Sequence, residues 1–242
     1  MGADMGAGID ADMGTQAPFH AITPFTMLDF PDLCACILWV AGCNMRCGYC
    51  HNPQIVLGKG TIGEAEAIAF LQRRVGLLDG VVLSGGEATT WPGLVGFAAR
   101  VKAMGFAAKL DTNGLRPDVV MRLLEGRLVD RIALDYKAPP ARFRQVTATT
   151  AYSRFSATLE LLCGQSDVPF EVRTTVHTGL LDEGDILWIA RDLAARGYSG
   201  RYAVQRAVTN RDRPTLGCMA PEERSLDIAR LEAESPIALA VR

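Results

Sequence analysis

The stretch Cys34–Pro53, CACILWVAGCNMRCGYCHNP, decides how the chain reads. Cys34–Val40 is a short, unbroken apolar run, the pattern of a strand buried on both faces. Cys43, Cys47 and Cys50 follow at once, spaced C-x3-C-x2-C. A buried strand thus delivers three thiols to one short loop. Gly42 and Gly48 give that loop the freedom to turn tightly. Three neighbouring thiolates suit a soft metal. A structural zinc site closes with four ligands, so zinc would need His51 or a distant cysteine as the fourth. A [4Fe–4S] cluster held by only three cysteines leaves one iron open to an outside ligand. The loop alone leaves both readings standing.

The whole chain agrees with a metal or redox site. It has 242 residues and seven cysteines, an odd and clustered set that fits a disulfide framework poorly. Hydrophobic residues make up 49% and charged residues 21%, so enough apolar surface exists to build a core. The formal charge of −2 lacks the basic excess of a nucleic-acid binder. No apolar run is long enough to span a bilayer, and no signal-peptide pattern opens the chain, so no membrane association and a cytoplasmic location are expected. Residues 1–18 read as a flexible tail, 19–210 as one core domain, and 211–242 as an extension packed on it, with an extra helix over 221–234.

Working outward from Cys34–Val40, strands and helices alternate. Strands are expected at Cys34–Val40, Val81–Ser84, Phe106–Asp111, Arg131–Asp135, Phe170–Val176 and Arg201–Gln205. Helices are expected at Gly63–Val75, Leu94–Met104, Pro117–Glu125, Tyr152–Cys163 and Glu183–Arg196. That alternation implies parallel strands with right-handed crossovers. A closed eight-unit barrel typically needs about 250 residues, so an α/β partial (β/α)6 TIM-like barrel is the expected fold.

Polar groups collect at the expected C-terminal strand ends, where such barrels build their sites. The ends carry the three cysteines, Ser84-Gly85-Gly86-Glu87, Asp111-Thr112-Asn113-Gly114, Asp135-Tyr136-Lys137, His177 and Gln205. Gly85 and Gly86 would let a ligand touch the backbone, and Glu87 could bind an ammonium group; an ordinary turn is the plain alternative. Asp111–Gly114 alone is equally an Asn-Gly turn. Lys137 is one of 4 lysines beside 21 arginines, which suggests a chosen point charge; a surface pair with Asp135 is the alternative. Strand alternation places Arg173, Thr175 and His177 on one side, making His177 a candidate at a cofactor site. Cys34, Cys36 and Cys163 read as packing.

The series of motifs resembles the radical S-adenosylmethionine (SAM) superfamily, and more narrowly the activating enzymes of glycyl-radical enzymes. It is most similar to the activating proteins of anaerobic ribonucleoside-triphosphate reductase. The stretches that carry the likeness are PFTMLDFP (24–31), GCNMRCGYCHNP (42–53), GLLDGVVLSGGE (76–87), KLDTNG (109–114), VDRIALDYKAP (129–139) and RTTVHTG (173–179). The family usually has proline after Gly-Gly-Glu, where this chain has Ala88. The resemblance implies a partial barrel and a [4Fe–4S] cluster on Cys43, Cys47 and Cys50 whose open iron takes the amino and carboxylate groups of SAM. It implies Tyr49 beside the adenine, and Gly85, Gly86 and Glu87 at the methionine ammonium. Asp111 and Asn113 would face the ribose or methionine end, and Lys137 the methionine carboxylate. Asp111 and Asp135 would alternatively share a monovalent cation, as in some activases.

The resemblance also implies the reaction. One electron from the reduced cluster splits the SAM sulfonium into methionine and a 5′-deoxyadenosyl radical, which takes hydrogen from a partner's glycine Cα. A glycyl-radical enzyme and a flavodoxin- or ferredoxin-type donor are therefore the expected partners. The alternatives are activation of a pyruvate formate-lyase type enzyme, or radical chemistry on a small molecule.

Overall fold

The computed structural model describes residues 17–209, 215–220, 222 and 224–242; the expected tail lies outside these apart from Ala17 and Pro18. One eight-stranded sheet runs in the order β1 to β8. Six parallel strands form its body: β2 (Ala35–Val40), β3 (Gly80–Gly85), β4 (Ala107–Thr112), β5 (Arg131–Asp135), β6 (Phe170–Val176) and β7 (Tyr202–Arg206). These are the six strands the sequence led us to expect. β1 (Phe19–Thr26) adds an antiparallel edge, and β8 (Leu239–Val241) pairs parallel with β7 at the other edge. The sheet is open, and it curves so that residues of β2 to β7 line one cavity.

The crossovers follow from local chemistry. Helices α2 (Glu64–Gln72), α3 (Leu94–Ala103), α4 (Pro117–Glu125), α6 (Tyr152–Cys163) and α7 (Glu183–Ala195) each return the chain to start a parallel strand, after a short α1 (Pro53–Leu57) behind the cysteine loop. Proline stands in the first turn of α4, where its missing N–H costs nothing. The same device starts α5 (Pro140–Thr147), a helix that Pro139-Pro140 disguised in the sequence. A reciprocal capping box between Asp182 and Asp185 opens α7.

The core lies between sheet and helices. Phe19, Trp91 and Phe97 meet with ring centroids 5.1–5.4 Å apart and seal one end of it. Tyr136 packs against Phe155 at 4.4 Å while its hydroxyl bonds to Tyr152 Oη at 2.6 Å and to Asp192 Oδ2 at 2.9 Å. Tyr136 therefore points outward to the helices. Its neighbours Asp135 and Lys137, one residue to either side, line the cavity.

The C-terminal stretch joins the same body. α8 (Ile228–Glu234) occupies the last part of the helix expected over 221–234, and β8 extends the sheet. Glu183, at the start of α7, accepts hydrogen bonds from Arg224 Nη1 at 2.8 and 3.1 Å and from Asp227 N at 2.9 Å. The Arg224 bond is the main cause that holds the Glu183 carboxyl at about 2, below its usual 4.5. Among the described residues, no helix is long and apolar enough to cross a membrane.

Two outcomes follow. Phe97 is fully buried, so Phe97→Ala should cost about 3–5 kcal/mol in urea unfolding. A depressed folded pKa gives stability that is present above the unfolded value and lost as pH falls through the folded one. Glu183→Gln should therefore lower Tm at pH 7, and its difference from wild type should shrink as pH falls from about 4.5 toward 2.

Candidate active site

The site begins where β2 ends. Gly42 takes φ +85°, a conformation that favours glycine, and its N–H donates to Ile55 O at 2.8 Å. This turns the chain into the cysteine loop. Cys50 N donates to Cys47 O at 3.0 Å, closing a tight turn, and Met45 N reaches Cys43 Sγ at 3.4 Å. Arg46 braces the loop from outside by donating to the carbonyls of Cys43 and Met45 at 2.6 and 2.8 Å. A second brace comes from the C-terminal stretch, where Leu216 N donates to Cys50 O and Gly217 N to Gly48 O, both at 2.8 Å.

The end of β3 holds the loop from beneath. Gly86 N donates to Val40 O and Glu87 N to Gly42 O, both at 2.9 Å. A side chain on Gly86 would strike the Gly42 carbonyl, so only glycine lets the two turns cross. Glu87 is 2% exposed. Its Oε1 accepts from Thr89 N at 3.1 Å, Thr89 Oγ1 at 2.5 Å and Thr112 Oγ1 at 2.7 Å, and its Oε2 from Asn113 N at 2.6 Å. Burial pushes its carboxyl above the usual carboxylate range, against the pull of these four donors. Asn113 continues the chain of contacts to Asn44 Oδ1 at 2.8 Å, beside Cys43. Ala88, in the place the family usually gives to proline, is fully buried at the start of a 3-10 turn.

One cavity of about 510 Å³ collects these groups. Cys43, Cys47, Tyr49, Cys50, Gly85, Gly86, Glu87, Asp111, Asn113, Asp135 and Lys137 all line it. Among the described residues, no three His, Cys, Asp or Glu side chains converge on a point suited to a single metal ion. The three thiols instead share a cavity wall. Burial pushes the Cys43 thiol up to about 12 and raises Cys47 as well, so each would need a bound cation to hold it as thiolate at neutral pH. Tyr49 Oη is buried in the same wall with no oxygen or nitrogen partner. A buried polar atom without a partner, three thiols and a bare glycine turn fit an iron–sulfur cluster with an amino-acid-bearing nucleotide beside it.

His177 departs from expectation. It is buried but does not line the cavity. β6 ends at Val176, so alternation no longer governs the next residue. His177 Nδ1 accepts from Gly179 N at 3.1 Å, which leaves Nε2 to donate to Ala220 O at 2.8 Å. Arg173 and Thr175, still on the strand, do face the cavity.

The sequence reading passed over Lys109, which is 2% exposed and bonds to Asp111 Oδ1 at 2.7 Å. Its signal was present: a scarce lysine two residues before a strand-end aspartate, hence on the same face. The other cysteines stand apart. Cys36 is buried within β2, and burial pushes its thiol up to about 12. Cys218 is exposed.

Residues 37–189 match the family model of the radical SAM superfamily. A protein of Methanocaldococcus jannaschii named as a glycyl-radical enzyme activating enzyme is 32% identical over 181 residues, covering 73% of this chain and 75% of that protein. The AdoMet-dependent heme synthase of Methanosarcina barkeri is 30% identical over 178 residues, covering 67% of this chain and 48% of that one. The crystal structure of Streptococcus suis SuiB bound to S-adenosylmethionine shares the fold with a TM-score of 0.64 at 11% identity, over 83% of this chain and 48% of that chain. The chain spans about half the length of these last two proteins. The chain therefore belongs to the radical SAM superfamily, whose cofactors are a [4Fe–4S] cluster and S-adenosylmethionine, and within it to the glycyl-radical enzyme activating enzymes.

Proposed function

We propose that this activating enzyme installs a glycyl radical on anaerobic ribonucleoside-triphosphate reductase. The observation that carries the reading is the meeting, in one cavity, of the three loop thiols with the Gly85–Glu87 turn and the unpartnered Tyr49 hydroxyl. The motif series from Pro24 to Gly179 supports the choice of partner. When bound, the cluster and SAM supply one-electron reductive cleavage of a sulfonium carbon–sulfur bond and hydrogen abstraction from carbon.

The chain's own residues prepare that chemistry. Cys43, Cys47 and Cys50 hold the cluster, and the hydrogen bonds to the carbonyls of Gly42, Gly48 and Cys50 fix the loop that carries them. The Gly85–Gly86 backbone offers close approach to the methionine end of SAM. Glu87 has both carboxylate oxygens engaged internally, so its work is to hold the loop and strand ends in register while its edge receives the ammonium group. With SAM bound, Tyr49 would lie beside the adenine, Asp111 and Asn113 at the ribose or methionine end, and Lys137 at the methionine carboxylate, a reading supported by their lining of one cavity. Lys137 keeps its charge despite burial, because Asp135 lies 3.0 Å away and raises its pKa well above the ordinary value. The electron comes from a flavodoxin- or ferredoxin-type protein.

Anaerobic reconstitution with iron, sulfide, SAM and dithionite should yield a visible iron–sulfur chromophore and 5′-deoxyadenosine. Cys47→Ala should lose both, while Cys163→Ala, outside the cavity, should keep both. Mixed with the reductase, the reconstituted protein should give a glycyl doublet in electron paramagnetic resonance. A doublet only with a pyruvate formate-lyase type enzyme would move the partner; SAM cleavage driven by a metabolite, with no doublet, would replace the reading by one on a small molecule.

A further inference from the structure

Beneath the three-cysteine loop, the cavity wall holds a ladder of alternating charges. Asp111 projects from β4, Asp135 from β5 with Lys137 just beyond it, and Arg173 from β6, all at the cavity wall. Lys109, two residues before Asp111 on β4, is buried and backs Asp111 without lining the cavity itself. Lys109 Nζ meets Asp111 Oδ1 at 2.7 Å. Asp111 Oδ2 faces Arg173 Nη1 at 3.6 Å and accepts from Ser84 Oγ at 3.3 Å. Arg173 Nε donates to Asp135 Oδ1 at 3.0 Å, and Lys137 Nζ donates to Asp135 Oδ2 at 3.0 Å. Every oxygen of both carboxylates thus faces a side-chain cation. The cations outnumber the carboxylates by one, and no side chain of the ladder is more than a quarter exposed.

This arrangement bears on the monovalent cation that the family resemblance allows between Asp111 and Asp135. Such an ion needs oxygen ligands with free lone pairs directed at it. Here the space between the two carboxylates is taken by a planar guanidinium that reaches both of them. Guanidinium suits this place better than ammonium would. It is weakly hydrated, carries a fixed fork of donors and cannot lose its proton. Lys109, among the most buried large side chains, fixes the far side of Asp111.

We propose that Arg173, with Lys109 and Lys137, is the built-in counter-cation of the Asp111–Asp135 pair, so that the cavity binds SAM without any monovalent metal ion. Arg173 is then a positioning residue. It holds Asp135, which in turn sets Lys137 at the cavity wall. The proposal rests on reading this cavity as the SAM site.

The test exchanges cations. Equilibrium dialysis of SAM on the anaerobically reconstituted protein would be run in sodium, potassium or tetramethylammonium chloride at equal ionic strength. Melting temperatures in the same salts, without SAM, form a second arm. Wild type should bind SAM within about twofold in all three salts and melt at one temperature. Arg173→Ala should bind about tenfold more weakly in tetramethylammonium. Sodium or potassium should restore that binding and raise the variant's melting temperature, a gain that a general loss of structure would not produce. If Arg173→Ala does not fold, Lys109→Met should show the same new dependence more weakly. Wild-type binding that requires sodium or potassium, a wild-type melting temperature raised by either ion, or variants indifferent to both would each overturn the proposal. If SAM is retained in no salt, the reading of the cavity fails, and the melting arm still decides the cation question.

Discussion

The Glu87 carboxylate sits out of reach of solvent and takes four hydrogen bonds, from the backbone and hydroxyl of Thr89, the hydroxyl of Thr112 and the backbone of Asn113. Its own N–H holds the Gly42 carbonyl. A buried carboxylate stripped of partners costs several kcal/mol, so these groups are tied to one arrangement. That arrangement fixes the end of β3 against the end of β4 and sets both under the cysteine loop. The bare Gly86 lets the turns cross, and Asn113 carries the linkage on to Asn44 beside Cys43. The reactive groups can meet because one residue, through its carboxylate and its backbone N–H, ties together three chain segments that are far apart in sequence.

The lower wall of the cavity obeys a second constraint, electrostatic in kind. A parallel sheet covered by helices is normally apolar on both faces. Here the concave face carries Lys109, Asp111, Asp135 and Arg173, with Lys137 beyond the end of β5, while the convex side is filled by residues such as Leu110, Leu134 and Val172. Charges in such a place survive because each is paired: Lys109 with Asp111 and Lys137 with Asp135 along the chain, and Arg173 with both carboxylates across the sheet. Pairing also keeps Asp135 charged: burial would raise its carboxyl, but Arg173 and Lys137 outweigh it and hold the group at about 2. Asp135 and Lys137 therefore keep opposite charges on the cavity wall at neutral pH.

How much of this was legible in the sequence varied by element. The six parallel strands were legible, since each is a compact apolar or β-branched run closed by polar residues, as in Cys34–Val40 and Phe170–Val176. The edge strands were not. β1 contains Pro24 and is only half buried, and β8 has three residues; a strand with one neighbour needs little apolar patterning of its own. α5 was hidden because Pro139-Pro140 reads as loop until Pro140 is seen to open a helix. Strand alternation carried one residue past Val176 made His177 a candidate at the site, but alternation does not hold beyond the strand end, and His177 does not line the cavity.

The sequence by itself determined the covalent spacing: three thiols within eight residues, a glycine pair before a carboxylate, and a rhythm of strands that brings such groups to one end of a parallel sheet. These are local facts, set by the reach of a few bonds and the period of the backbone. Only the tertiary structure decided which groups touch. It turned Glu87 inward onto Thr112 and Asn113, withdrew His177 to Ala220, and laid Arg173 between Asp111 and Asp135. Those choices depend on the curvature of the sheet and the register of strands from β3 to β6. Both emerge from packing the whole core, so no single stretch of the chain encodes them.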